Sequence, residues 1–296
     1  MKFSDIAPPA AGELLTVVGP TGSGKTELAI QLAERFGGEV IGADSVQIYR
    51  GFDIGSGKPT TEELARAAHH VVGVVDPLDP MDAGIYVKLA DAAIADVRAR
   101  GKVPIVCGGT FLWVKALTRG LAEAAPRDEA IRARHRDEAE AEGRAALHAK
   151  LAEVDPEMGK RLAPNDFVRV SRALEVFELT GRPLTAWQAE HGFATERYPV
   201  RLLAPAIERS ALDEKLERRA RAWLDHGWIE EVEALVAAGF AGARAMGSVG
   251  YKEVLACTRG EIEKVDLLVT IFRATRVFVR RQRTWIRDEP VVYVEA

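Results

Sequence analysis

Cysteine is nearly absent from this chain: Cys107 and Cys257 are the only two among 296 residues. Two thiols cannot build a disulfide framework and lack the spacing of a metal-binding set, so a reducing cytoplasm is the expected setting. Long hydrophobic runs are missing too. No stretch approaches the ~20 apolar residues that span a bilayer, and Met1–Glu13 lacks the apolar core of a signal peptide. There is no internal repeat and no low-complexity segment. Charge of one sign does not dominate: the net charge of −4 argues against a general nucleic-acid coat protein. It does not exclude nucleic acid, because a local basic surface matters more than the total. The 47% hydrophobic and 28% charged composition is that of a soluble globular protein. The length suits one large domain or two modest ones.

What is present is a complete phosphate-binding loop, Gly19-Pro20-Thr21-Gly22-Ser23-Gly24-Lys25-Thr26. The apolar strand Leu14–Val18 precedes it, and a helix from Glu27 to Phe36 follows, with Leu28, Leu32 and Phe36 on its buried side. The glycines let backbone N–H groups turn inward around phosphate oxygens, and the helix N-terminus adds positive partial charge. Lys25 supplies a full charge, and the Thr26 hydroxyl is placed to ligate a magnesium ion (Mg2+) bridging two phosphates.

Strand and helix signals alternate through the first 118 residues. Glu39–Ala43 reads as a short buried strand ending at Asp44, Val71–Val75 as another, Gly84–Arg100 as a helix, and Val103–Cys107 as a third strand running into Gly108-Gly109-Thr110. Such alternation predicts an α/β fold, a P-loop NTPase-like parallel sheet with flanking helices. Ligands of such sheets collect outside the carboxyl ends of the strands, so the phosphate loop, Asp44 and Thr110 should converge on one cleft. Near Leu121 the texture changes to Ala, Glu and Arg. Phe167, Val170, Leu174 and Phe177 repeat at helical spacing, with Asn165 or Asp166 as cap and Gly181-Arg182-Pro183 as stop. The expected organisation is a catalytic core of residues 1–120 and 200–296 with an inserted all-helical domain, 121–199. In the returning core, Val200–Ala204 is a strand and a long helix covers about Glu263–Arg287.

A carboxylate at a strand end, as at Asp44, can hold magnesium, cap the following turn, or act as a general base. Gly108-Gly109-Thr110 is either a tight turn or a close backbone approach to a ligand with a threonine hydroxyl at hand. His69-His70 has no third ligand nearby and reads as structural. Arg273, Arg276, Arg280, Arg283 and Arg287 share one helix face, and Arg281 adds a sixth charge. A solvated stripe is the ordinary reading of such a run, but uncompensated arginines repel one another and an anionic phosphate backbone would relieve them. Arg169, Arg172, Arg132 and Arg134 can form a second basic surface facing the same cleft.

Taken in order, GPTGSGKT, ADSVQIYRGFDIGSGKP, HHVVGVVDP, PIVCGGTFLWVKAL, PNDFVRVSRALEV, GSVGYKE and TRVFVRRQRTWIR resemble the motifs of bacterial tRNA dimethylallyltransferases. The resemblance spans residues 19–287. It implies transfer of a dimethylallyl group from dimethylallyl pyrophosphate to N6 of the adenosine at position 37 of tRNA, beside the anticodon. It also implies roles by position. Gly19 through Thr26, with Arg219, would hold the pyrophosphate of the donor with magnesium. Asp44 matches the general base, and Asp44, Ser45, Val46 and Gln47 lie where the target base is held. Thr110 matches a threonine contacting the flipped adenosine, and Arg132 a tRNA-contacting arginine. Val168, Arg169, Val170, Ser171 and Arg172 match a tRNA-contacting segment, as do Gly247, Ser248, Val249, Gly250, Tyr251, Lys252, Glu253 and Val254. Gly22, Trp113, Val168 and Arg280 stand where alanine, tyrosine, glutamine and lysine are common, and Val168 forfeits a polar contact to RNA.

The exocyclic amine of adenine is a poor nucleophile, so a base that takes its proton and cations that hold the leaving pyrophosphate are what the reaction requires. The base must also leave its stack in the anticodon stem-loop to be reached. An inserted domain closing over one side of the RNA suits that geometry. The implied enzyme acts as a cytoplasmic monomer, using for a prenyl donor a loop that elsewhere binds ATP. The rivals are a small-molecule P-loop kinase, a prenyltransferase of free adenine nucleotides, and a non-catalytic nucleotide switch or RNA-binding adaptor. The first leaves both the arginine face and the helical insertion unexplained, and the same two features favour tRNA over the free nucleotide of the second.

Overall fold

The computed structural model of the chain describes residues 1–295 other than Glu123, Pro126 and Ala194. Six strands form one sheet: β1 (Leu14–Val18), β2 (Gly38–Gly42), β3 (His69–His70), β4 (Val103–Gly108), β5 (Val200–Pro205) and β6 (Val292–Val294). Their order is β3-β2-β4-β1-β5-β6, and every neighbouring pair is parallel. Helices α1 (Lys25–Phe36), α2 (Thr61–Arg66), α3 (Ala83–Ala99), α4 (Phe111–Arg119), α5 (Glu129–Ala141), α6 (Arg144–Val154) and α7 (Pro156–Arg161) follow in chain order. They continue as α8 (Phe167–Thr180), α9 (Leu184–His191), α10 (Arg209–Asp225), α11 (Trp228–Ala237), α12 (Tyr251–Thr258) and α13 (Lys264–Arg287).

A sheet covered on both faces must be apolar at consecutive positions, and β1 is: all five of its residues are buried. Leu14 and Val18 join the core that contains Ile41, Val106, Ile94 and Leu117, whereas Leu15 and Val17 pack with Leu28, Ala29 and Leu32 of α1 on the other side. The chain divides into two compact units, Met1–Thr118 with Arg197–Ala296, and Arg119–Glu196. The second is helical and has its own core of Leu147, Leu151, Met158, Leu162, Val170, Ala173 and Leu174. Its helix α8 starts where Asp166 accepts the Arg169 N–H and stops at Gly181, whose φ of 68° is left-handed. No helix among the described residues is long and apolar enough to cross a membrane.

One expected strand is misplaced. Pairing with β2 falls on His69-His70, and Val71 then turns away with φ 60°, a costly conformation for a β-branched residue. Residues 73–75 instead donate their N–H groups to the carbonyls of Gln47 and Ile48. The apolar run Val71–Val75 therefore braces the segment after Asp44 rather than lying in the sheet.

The sheet positions the site through the register of its middle strands. Thr16 of β1 lies beside Val106 and Ile41 of β2 beside the same residue, so the three strands end level. At that end Ala43 donates its N–H to Cys107 O (2.8 Å), and its own carbonyl accepts from Thr110 N–H (3.2 Å). A β-carbon on Gly108 would lie 2.1 Å from the Ala43 carbonyl oxygen. Gly108→Ala should therefore destabilise the fold by about 3 kcal/mol or more, since the clash is with backbone rather than a yielding side chain. A denaturation midpoint close to that of the parent would refute the close approach.

Candidate active site

The phosphate loop closes on itself at the end of β1. Gly24, with φ 93°, is the N-cap of α1, and the first N–H groups of a helix have no intrahelical acceptor. Ser23 Oγ is buried without a partner, and a β-carbon on Gly19 would sit 2.7 Å from it. Lys25 Nζ donates to Pro20 O (2.9 Å), bending its ammonium back over the loop. Removal from water pushes that ammonium below lysine's ordinary value, with Cys107 and Asp44 opposing. Thr21 departs from the expected inward-pointing pattern. Its N–H donates to Gln282 Oε1 (2.9 Å), and its hydroxyl accepts from Arg219 Nη2 (2.7 Å). Burial lowers the Arg219 guanidinium to about 10, again with Asp44 opposing. Arg219 also stacks over Trp223, 4.5 Å from guanidinium carbon to ring centroid.

Asp44 fills one of the three roles its position allowed. Oδ1 accepts from Val46 N–H (2.9 Å) and Gln47 N–H (3.2 Å), capping the turn after β2. Oδ2 makes no hydrogen bond among the described residues. Thr110 Oγ1 accepts from Ser45 N–H (3.0 Å), tying the turn after β4 to the turn after β2. Gln47 Nε2 donates to the carbonyls of Ser56 and Gly57 (3.1 and 2.8 Å) and so holds the loop that follows. Glu231 anchors the same loop, accepting the N–H groups of Asp53 and Ile54 and the Tyr251 hydroxyl.

Two cavities adjoin here. The first, of about 380 Å³, is bounded by the phosphate loop, Thr26, Lys25, Lys215, Arg219 and Asp44. The second, of about 300 Å³, is bounded by Thr110, Trp223, Trp228, Ile271, Phe278 and Gly247–Val249. Thr21, Asp44, Ser56, Arg219 and Phe278 border both. The first holds three cations, Lys25, Lys215 and Arg219, with the carboxylates of Glu27, Asp44 and Glu63; the second holds the two indoles, and Asp44 borders both. The two indoles meet edge to face at 5.4 Å and carry the loop above them. A β-carbon on Gly55 would fall 2.0 Å from Trp228 Nε1, and one on Gly57 2.9 Å from Trp223. Cys107 also borders the first cavity, but burial pushes its thiol up to about 12, against the pull of Lys25, so it is not a thiolate.

Burial divides the expected contact residues. Within Gly247–Val254, Gly247, Ser248 and Val249 border the second cavity and Lys252 is exposed. Tyr251, Glu253 and Val254 are core residues, and Gly250 is enclosed with its N–H given to Glu253. In the helical unit Val170 and Ser171 are interior, Ser171 meeting His135 at 3.0 Å, whereas Val168 is exposed. The basic surface expected there is largely neutralised. Arg132 and Arg172 both bind the buried Glu175, Arg169 binds Asp166, and Arg134 binds Glu178. On α13, Arg276 pairs with Asp213 and Arg287 with Asp288, so the stripe is not uncompensated. Arg281 borders the aromatic cavity, while Arg276, Arg280 and Arg283 line a separate hollow of about 260 Å³ with Arg209.

Sequence reasoning passed over Gln282, Trp223, Trp228, Phe278 and Glu231. Gln282 had a signal: it takes a place in the buried row Leu267, Ile271, Val279, Ile286 of α13, where an apolar residue is the norm. The others become functional only through long-range contacts.

A phosphate loop, a carboxylate and a threonine converging beside an aromatic cavity define a group-transfer enzyme of the P-loop α/β class. Residues 47–289 match the family model described as IPP transferase, and residues 12–71 the one described as isopentenyl transferase. The chain belongs to the IPP transferase family. It is 63% identical to a tRNA dimethylallyltransferase of Sorangium cellulosum over 99% of this chain and 93% of that protein. It resembles the crystal structure of the tRNA isopentenylpyrophosphate transferase of Bacillus halodurans (TM-score 0.70, 32% identity, 96% and 90% of the two chains). A eukaryotic dimethylallyltransferase acting on tRNA is similar with TM-score 0.79 and 26% identity, over 96% of this chain and 73% of that one.

The Glu175 cluster yields a pH prediction. Burial opposes its ionisation, but hydrogen bonds from Arg132 and Arg172 and from Asp128 N–H outweigh it and carry the carboxyl from 4.5 down to about 2. A pKa depressed by folding contributes stability that is complete above 4.5 and is lost as pH falls toward about 2. Glu175→Gln should cost about 3 kcal/mol at neutral pH by removing the buried carboxylate that Arg132 and Arg172 share. The gap to the parent should narrow between pH 4.5 and about 2. Thermal unfolding across that range measures it; a gap constant with pH would detach the effect from ionisation.

Proposed function

We propose that this enzyme transfers a dimethylallyl group from dimethylallyl pyrophosphate to N6 of adenosine 37 in the anticodon stem-loop of tRNA, releasing pyrophosphate. The observation that carries the reading is Oδ2 of Asp44, open at the boundary between the phosphate-loop cavity and the cavity of the two indoles. Donor pyrophosphate in the first places its C1 carbon at that boundary, and adenine entering the second brings N6 to the opposite side of C1. As the N6–C1 bond forms and the C1–O bond breaks, Oδ2 takes the N6 proton and the electron pair leaves with pyrophosphate. Thr110 has a hydroxyl proton to offer the acceptor, its oxygen being held by Ser45 N–H. Lys25, Lys215, Arg219 and the N–H groups of Gly24, Lys25 and Thr26 neutralise the leaving group. Phe278 and the two indoles keep water from the allylic carbon.

The residues present fit magnesium. Thr26 Oγ1 has no hydrogen-bond partner among the described residues, and Thr26 lines the first cavity with Glu27 and Glu63; magnesium beside phosphates keeps few protein ligands. The ion would be held by Thr26 and the two phosphates, and when bound it supplies charge neutralisation. The RNA face of the core is Gly247–Val249, Lys252, Arg281 and the hollow of Arg209, Arg280 and Arg283; in the helical unit Val168 and Arg169 are the outward-facing members. The enzyme works as a monomer in the cytoplasm, a compartment that two free cysteines suit.

Incubation with radiolabelled dimethylallyl pyrophosphate, magnesium and either tRNA or AMP, without ATP, tests the reading. Label should enter tRNA; label in AMP instead, or an absolute need for ATP, would refute it. Asp44→Asn should lower turnover by about 10²-fold or more with tRNA binding intact, and near-normal turnover would remove Asp44 from the chemistry. A salt series tests the hollow. Replacing Arg280 and Arg283 with glutamine should flatten the slope of log affinity against log salt by about 0.7–0.9 per lost phosphate contact. Parallel lines would leave these arginines as solvated charge.

A further inference from the structure

We propose that Gln282 is a positioning residue for the prenyl donor, its carboxamide setting the shape of the phosphate loop before the donor arrives; this rests on the prenyl-transfer reading. Gln282 lies on α13, is only 5% exposed and borders the phosphate-loop cavity. Its Oε1 accepts from Thr21 N–H at 2.9 Å, and its Nε2 donates to Gly109 O at 3.1 Å. The orientation of the amide is fixed by chemistry: a backbone N–H can only donate and a carbonyl can only accept, so neither contact survives a flip. Gly109 makes room for it, since a β-carbon there would sit 2.5 Å from Nε2.

One side chain thus bridges the turn after β1 to the turn after β4, and Thr21 receives Arg219 on its other side. In a loop built to surround phosphate oxygens, the Thr21 N–H is turned away from the ligand, as is that of Ser23, which donates to Pro20 O at 3.2 Å. Its bond to Gln282 fixes Thr21 at the mouth shared by the two cavities and leaves Gly22, Gly24, Lys25 and Thr26 to form the anion cradle. Because α10 and α13 pack through Leu212, Leu216 and Val279, Arg219 and Gln282 grip Thr21 from one rigid pair of helices. A buried glutamine that merely satisfied two backbone groups would serve stability alone. A positioning residue must also affect the donor.

Three measurements separate these roles: magnesium pyrophosphate binding by calorimetry, KM for each substrate, and the unfolding midpoint. Q282L fills the space and removes both hydrogen bonds. Pyrophosphate Kd and donor KM should rise about tenfold, the order expected when a buried donor and acceptor lose their partners, while KM for tRNA stays within twofold. Q282E keeps an acceptor for Thr21 but, when ionised, turns a carboxylate toward Gly109 O and the pyrophosphate. Its donor KM should be raised at least as much as that of Q282L, because an ionised carboxylate cannot donate to Gly109 O. Should Q282L not fold, Q282E carries the test alone. Donor binding within twofold of the parent in both variants, with only a lowered unfolding midpoint, would overturn the proposal. A parent protein that neither binds pyrophosphate nor transfers the prenyl group would instead overturn the reading on which it rests.

Discussion

The contact between Ala43 and Gly108 is the constraint on which the site depends. Parallel strands have no intrinsic reason to end level. Here the Ala43 carbonyl bonds to Thr110 N–H, and the backbone of β4 approaches it without a side chain between. That approach draws the ends of β2 and β4 together and leaves Asp44 and Thr110 on adjacent turns, joined through Ser45. The phosphate loop follows from β1 on the other side of β4. Three segments distant in sequence thereby supply a carboxylate, a hydroxyl and a phosphate-loop sequence within one concavity.

Charge in that concavity is arranged for a ligand. Lys25 and Arg219 are both lowered by burial, which means the site holds its cations at a cost. Asp44 relieves part of it without forming an ion pair with either. Bound pyrophosphate would relieve the remainder, leaving the carboxylate free to act on a proton. A direct salt bridge would have been more stable and of less use. Trp223 beneath Arg219 serves the same end by a different means, steadying a guanidinium with a ring face rather than an acid.

Much of this was legible in the chain. The strand–loop–helix pattern around Gly19–Thr26 announces itself, because glycine, lysine and threonine at that spacing have few other uses. Asp44 and Thr110 could be placed by strand ends alone. The tRNA-facing residues were harder to read, since a motif carries its core and contact positions together: Tyr251 and Val254 lie inside while Lys252 between them lies outside. Arginine charge was misjudged for a related reason. Arg132 precedes its partner Glu175 by a run of helices, so the pair is invisible before the fold is known. Val71–Val75 has strand composition but serves as a brace, because its hydrogen bonds go to the turn after Asp44.

The loop resting on the two indoles has a consequence for inheritance. Gly55 and Trp228 occupy volumes that exclude any β-carbon at the first position, and Gly57 and Trp223 stand in the same relation. Neither member of a pair can drift alone. A lineage that acquired alanine at 55 would first need a smaller ring at 228, and one that lost the indole would open a void under the loop. The four positions are thus expected to change in step, so that two glycines with no chemistry of their own are kept by a constraint written 170 residues away.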